Sequence, residues 1–319
     1  MDGLPHILSL QAASQTQRTL ASAISCVGVG LHSGRKIRLE MKPLPAGSGI
    51  VFRRVDLDAS VGPIDIPARF DHVTDTRLCT VISNKTRPEC RVSTVEHIMA
   101  ALAGCGVHNV LVEIDGAEVP ILDGSSASFV FLIDCAGLVE QDAAVAHIEV
   151  LRTVRVEQGE AFAELRPSSM GFDMALSIDF AAPAIGRQAL TLRLSPESFR
   201  TELARCRTFT MVQEVEALRA VGLALGGSLD NAIVVDGAKI MNPTGLRCPD
   251  EFVRHKMLDA VGDLSLAGAP LFGRFVAHRT GHALNNRLLL ALFADDANWR
   301  LVHEDTASHA VWQPISVAA

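Results

Sequence analysis

The chain has 319 residues, enough for two domains that each bury a core, and a net charge of −7 without any dense Lys/Arg run, which argues against nucleic acid as a partner. Mean hydropathy is +0.25, spread over scattered Ala, Leu and Val, and the most apolar run, residues 288–294, is far too short to span a bilayer. Seven cysteines without a C-x-x-C fit free thiols in a reducing cytoplasm, and the first ten residues carry no export signal.

Taken in order, residues 1 to about 16 read as a loose lead-in. Alternation predicts strands at 24–29 and 37–41 around a Leu31-His-Ser-Gly-Arg turn, and 51–54 and 79–84 continue in that style. Residues 93–102 read as a helix closed by Gly104, 108–115 as a buried strand and 126–135 as a second helix. Residues 142–147 look like a joint between domains. Beyond it come strands at 148–157, 161–165 and 172–180, helical stretches at 196–203 and 212–221, a strand or loop at 207–210, and a buried strand at 230–237. That last strand echoes His108-Asn-Val-Leu-Val-Glu-Ile-Asp-Gly116, which hints that the halves share a plan. A helix at 250–263, a strand at 274–278 and a helix at 284–293 complete the pattern. Strands precede helices in each half, so the fold class is α+β in two domains rather than a doubly wound sheet.

Four short stretches carry chemistry. In D-E-F-V-R-H-K-M-L-D-A-V-G-D (250–263), His255 and Asp259 stand four apart on one helix face, either as half of a metal clamp or as an ordinary ion pair. Asp263 lies one turn further on, where a carboxylate could hold an imidazolium. In Ser93-Thr-Val-Glu-His97, the S-x-x-E spacing is that of a capping box; the alternative makes His97 a metal ligand with Glu96 as a base for water. Spacing alone favours the cap. His282, after Gly281, is either an exposed acid or a plain helix-entry residue. Leu225-Gly-Gly-Ser228 permits close backbone approach or a tight turn, and no phosphate-loop, dinucleotide or nucleophile-elbow motif is present.

S-T-V-E-H-I-M-A-A-L-A-G (93–104), R-T-F (207–209), L-G-G-S (225–228), D-E-F-V-R-H-K-M-L-D-A-V-G-D-L (250–264) and G-H-A-L-N-N (281–286) occur in that order. With them the chain resembles the UDP-3-O-acyl-N-acetylglucosamine deacetylases, zinc amidases of lipid A synthesis in Gram-negative bacteria, over roughly residues 16–305. The resemblance implies a β-α-α-β sandwich of two domains of similar topology, each a sheet with two helices and a small insert. Domain I would span 1–141 with its insert at about 56–90, and domain II 147–319 with a β-α-β insert at about 209–244. It implies zinc, with Fe²⁺ as a possible cellular substitute, held by His97, His255 and Asp259. Glu96 would be the general base, His282 the general acid oriented by Asp263, and Thr208 an oxyanion partner. Phe180 would pack on uracil, with Phe209 and Lys256 near the substrate and Arg279 at the diphosphate. Ala224, Leu229 and Val234 would line an acyl passage.

The implied reaction is hydrolysis of the N-acetyl group of UDP-3-O-[(R)-3-hydroxyacyl]-N-acetylglucosamine to amine and acetate, by a cytoplasmic monomer that touches the inner membrane transiently. An amidase for another N-acylated amino sugar is the alternative. The sequence departs from the family at Thr210-Met211 and at Cys248, where an aromatic is usual. Two hypotheses concern single features: Cys79 as a ligand for an inhibitory second zinc, against an inert buried thiol, and the tail 313–319 as a protease signal, against a frayed end.

Overall fold

In the computed structural model, residues 16–57 and 62–303 are described; the tail 313–319 lies outside them. The first half builds a five-stranded sheet in the order Ile24–Val29, Lys36–Pro43, Val110–Ile114, Ile50–Arg54, Ile64–Pro67. All neighbours are antiparallel except Ile50–Arg54 with Val110–Ile114. In Lys36–Pro43 side chains alternate between core and solvent: Ile37, Leu39 and Met41 are buried. Val110–Ile114, covered on both faces, is apolar almost throughout.

The second half repeats this pattern. Val154–Gln158, Ala161–Arg166, Leu271–His278, Phe172–Asp179 and Arg187–Arg193 pair in the same sequence, again with one parallel neighbour, Phe172–Asp179 beside Leu271–His278. Ala146–Val150 and Trp299–His303 extend this sheet to seven strands. The strand predicted over 148–157 is two strands, broken at 151–153, while Arg187–Arg193 and Trp299–His303 have no counterpart in the sequence reading. Similar topology is therefore real, but the sequence echo does not mark it. Val110–Ile114 corresponds to the central Leu271–His278, whereas Ile233–Asp236 belongs to a separate small sheet with Phe209–Met211 and Lys239–Ile240. The echo reflects two apolar strands ending in Asp-Gly, not equivalent places.

Helices lie between the two large sheets. Glu96–Cys105 and Ala127–Ala136 come from the first half, Glu251–Ser265 and His282–Phe293 from the second, and Glu96–Cys105 packs along Glu251–Ser265 at the centre. Their approach is close enough that a Cβ on Gly262 would stand 2.0 Å from the Glu96 carbonyl oxygen, so only glycine fits. Two small sheets sit outside this sandwich. One is Val73–Asp75, Val81–Ser83 and Arg91–Val92; the other carries the helix Val212–Ala220 between its parallel strands. Ile64–Pro67, within the range expected for the first insert, instead edges the large sheet. Leu138–Ala144 pairs with Thr16–Leu20, and Ala146 then opens the second sheet. No helix of the described residues is long and apolar enough to cross a membrane.

Candidate active site

The capping box at Ser93 does not form. Ser93 bridges to Glu118 in β fashion and its hydroxyl donates to the Ala117 carbonyl, Thr94 takes φ 57°, and the helix begins only at Glu96. It runs to Cys105 and is closed by Gly106 at φ 67° rather than by Gly104. Glu96 and His97 are consequently both free to turn toward the neighbouring helix. In that helix His255 and Asp259 share one face, as their spacing requires.

Packing of the two helices brings His97 to this pair. His255 Nε2 lies 3.3 Å and His97 Nε2 3.6 Å from Asp259 Oδ1, and the imidazoles meet edge-on with centroids 5.0 Å apart. One donor atom from each of the three buried residues lies within 4.8 Å of the others. Donors bound at about 2 Å to one tetrahedral ion stand about 3.3 Å apart, so the set fits a divalent metal with N/O preference. His255 Nδ1 donates to the Cys206 carbonyl at 3.0 Å, which leaves the Nε2 lone pair for the ion. Burial lowers the His255 pKa to about 4, keeping the ring neutral as a ligand must be. Burial resists the charge on Asp259, but His255 and the Lys256 ammonium, 2.7 Å from Oδ2, hold its carboxyl well below the usual range. His97 Nδ1 has no hydrogen-bond partner among the described residues.

Beside this cluster Glu96 Oε2 accepts the Thr80 N–H at 3.0 Å, and Oε1 lies 3.8 Å from His282 Nε2. Burial raises the Glu96 pKa. His282 opens the last helix and its Nδ1 donates to Asp263 Oδ2 at 2.9 Å. Burial opposes its charge, but the Asp263 and Glu96 carboxylates outweigh that and push its pKa up to about 9. The site thus pairs a carboxyl made more basic by burial with an imidazolium that persists at neutral pH.

Thr208, Phe180, Phe209 and Lys256 line the same cavity of about 200 Å³ as the cluster. Arg279 lines a wider space of about 680 Å³ that shares Phe180, Lys256 and His282 with it, and there its guanidinium pairs with Glu160 at 3.0 Å. Ala224, Leu229 and Val234 line neither; the apolar wall next to the cluster comes from Leu31, Leu78, Phe209 and Met211. Cys79 also lines the smaller cavity, but burial, with Glu96 adding, pushes its thiol up to about 12, so it is a neutral group outside the metal cluster.

Sequence reasoning missed several groups that hold the site. Asn285 donates to Asp263 Oδ2 at 2.8 Å, and Thr80 donates to Asp263 Oδ1 at 2.6 Å. Glu251, fully buried, binds the Arg207 guanidinium and the backbone N–H groups of Arg207 and Arg247, which fixes the segment carrying the Cys206 carbonyl and Thr208. Asn285 and Glu251 lie inside motifs that sequence reading quoted, and nothing in the spacing assigned them a part.

A family model described as UDP-3-O-acyl N-acetylglycosamine deacetylase matches residues 17–294. Curated relatives named UDP-3-O-acyl-N-acetylglucosamine deacetylase include one from Idiomarina loihiensis, 50% identical over 95% of this chain and 99% of its own length. One from Shewanella violacea is 46% identical over 92% of this chain and 95% of its own, and one from Actinobacillus pleuropneumoniae 46% over 90% and 92%. A model match over most of the chain, together with near-full-length relatives at this identity, places it in the UDP-3-O-acyl-N-acetylglucosamine deacetylase family.

Proposed function

We propose that this chain hydrolyses the N-acetyl amide of UDP-3-O-[(R)-3-hydroxyacyl]-N-acetylglucosamine, giving acetate and the free amine, as the committed step of lipid A synthesis in the cytoplasm of a Gram-negative cell. The names of the relatives supply the substrate. The observation that carries the chemistry is the convergence of His97, His255 and Asp259 beside a facing Glu96–His282 pair. The ion is taken to be zinc, with Fe²⁺ accepted by the same donors, and when bound it supplies Lewis acidity toward the carbonyl and an acidified water.

Glu96, one oxygen anchored by Thr80, removes a proton from the attacking water with the other. The Thr208 hydroxyl donates to the oxygen on which negative charge develops. An amine is a poor leaving group unless protonated, and His282, cationic because Asp263 stands behind it, delivers that proton from Nε2. Phe180 packs on the uracil ring, Lys256 and Arg279 meet the polar and diphosphate portions, and the acyl chain leaves along Leu31, Phe209 and Met211 toward the small insert sheet. The enzyme works as a monomer that touches the inner membrane surface transiently.

Acetate release and bound metal, measured together in wild type, Glu96→Gln and His255→Ala, test this reading. Glu96→Gln is expected to lose at least about 100-fold in turnover with metal retained, and His255→Ala to lose both. Equal metal loss in the two variants overturns the assignment.

A further inference from the structure

Thr80 belongs to none of the motifs above, yet it is 1% exposed and every polar group it has is committed at the site. Its N–H donates to Glu96 Oε2 at 3.0 Å, its hydroxyl to Asp263 Oδ1 at 2.6 Å, and its carbonyl accepts the Val95 N–H at 3.4 Å, one residue before the helix that presents Glu96. A carboxylate accepts only, so the Thr80 hydroxyl must be the donor to Asp263. Because threonine is branched at Cβ, few χ1 rotamers are open to it, and the hydroxyl is aimed rather than free to rotate.

We infer that Thr80 is a positioning residue that sets the Glu96 carboxylate and the Asp263 carboxylate behind His282 against each other. This inference rests on the reading of Glu96 as base and His282 as acid. With Oδ1 of Asp263 taken by Thr80, Oδ2 is the oxygen turned to His282 and Asn285. With Oε2 of Glu96 taken by the same residue, Oε1 is the oxygen left facing His282 Nε2. One residue of the first half thereby fixes groups contributed by both halves, and it does so from the position just before Val81–Ser83, the middle strand of the small sheet. That insert, on this view, serves to deliver Thr80 to the junction of the two central helices.

Thr80→Val keeps the backbone N–H and the shape but removes the donor to Asp263. It is expected to lower kcat about 30-fold, equivalent to about 2 kcal/mol, with KM and metal content near wild type, and Thr80→Ser is expected to restore most of the loss. A general loss of structure would move KM, metal content and melting temperature along with kcat and would not be rescued selectively by serine. If Thr80→Val does not fold, Thr80→Ala against Thr80→Ser gives the same hydroxyl contrast in a smaller side chain. Wild-type kcat in Thr80→Val, or equal loss in the serine and alanine variants, overturns the inference. His282→Gln, run in parallel, separates the two readings: if it also turns over normally, the acid assignment has failed, and if it alone is impaired, only the role of Thr80 has.

Discussion

At the scale of single residues, the site works by holding charges where burial opposes them. Burial keeps His255 neutral; against burial, the Lys256 ammonium helps keep Asp259 charged and the Asp263 and Glu96 carboxylates keep His282 cationic. The residue types and spacing of His255, Asp259 and Asp263 were legible in the sequence because a helix converts spacing into direction. Thr80 was not legible, because its position depends on a sheet insert meeting a helix 183 residues away in the chain. The capping box was misread for a related reason: a local motif lost to a long-range β bridge at Ser93.

One residue outside the site gives a pH prediction. His108 Nδ1 accepts the Arg18 N–H at 3.0 Å, and burial, with Arg18 adding, lowers its pKa to about 4. Protonation at Nδ1 breaks that bond. The stability His108 contributes is complete above its ordinary value of 6.5 and is lost as pH falls through about 4. Discounted for partial exposure, the loss is about 2 kcal/mol. Urea midpoints between pH 7.5 and 4 should fall more steeply in wild type than in His108→Gln; identical slopes would refute the assignment.

At the scale of elements, the decisive feature is the contact between Glu96–Cys105 and Glu251–Ser265. Amphipathic patterning located both helices, but it gave no hint that they touch, since packing partners across the chain leave no local period. Gly262 is where the contact is tightest, facing the carbonyl of Glu96 itself. Gly262→Ala gains helix propensity but must push the helices apart, and the strain outweighs the gain. We expect a net loss of about 2 kcal/mol in stability and a lowered kcat, because the Cβ would displace the backbone that carries Glu96. A Gly262→Ala enzyme with normal turnover would show that the contact tolerates displacement.

The buried Arg207–Glu251 pair belongs to the same scale. Glu251 ties the start of one helix to the segment bearing the Cys206 carbonyl. Removing one partner leaves the other charge uncompensated, so Glu251→Gln should cost about 3 kcal/mol and weaken metal retention through His255. Thermal unfolding and metal content of the purified variant check both parts; unchanged metal content would confine the pair to a structural part.

At the scale of the whole molecule, the two halves repeat one strand order, and their corresponding helices face each other across the middle. The repeat was legible as a class, in the strands-then-helices order of each half, but not in its detail. Arg187–Arg193 and Trp299–His303 went unread because edge strands with one solvent face carry a weak apolar signal. Ligands come from both halves, so an ion at this site links them. Removing it with a chelator should lower the melting temperature by several degrees, as loss of any ligand specific to the folded state does. Asp259→Asn should show a much smaller chelator effect, and an equal effect in the two would place the stabilising ion elsewhere.

Splitting the donors between early and late helices also has a consequence during synthesis. A ribosome that has finished the first large sheet has made His97 but neither of its companions, and Asp259 must emerge before the trio exists. On the proposed reading, a chain that terminates before Asp259 lacks part of the donor trio and one that ends before His282 lacks the acid, so turnover waits until most of the polypeptide is in place.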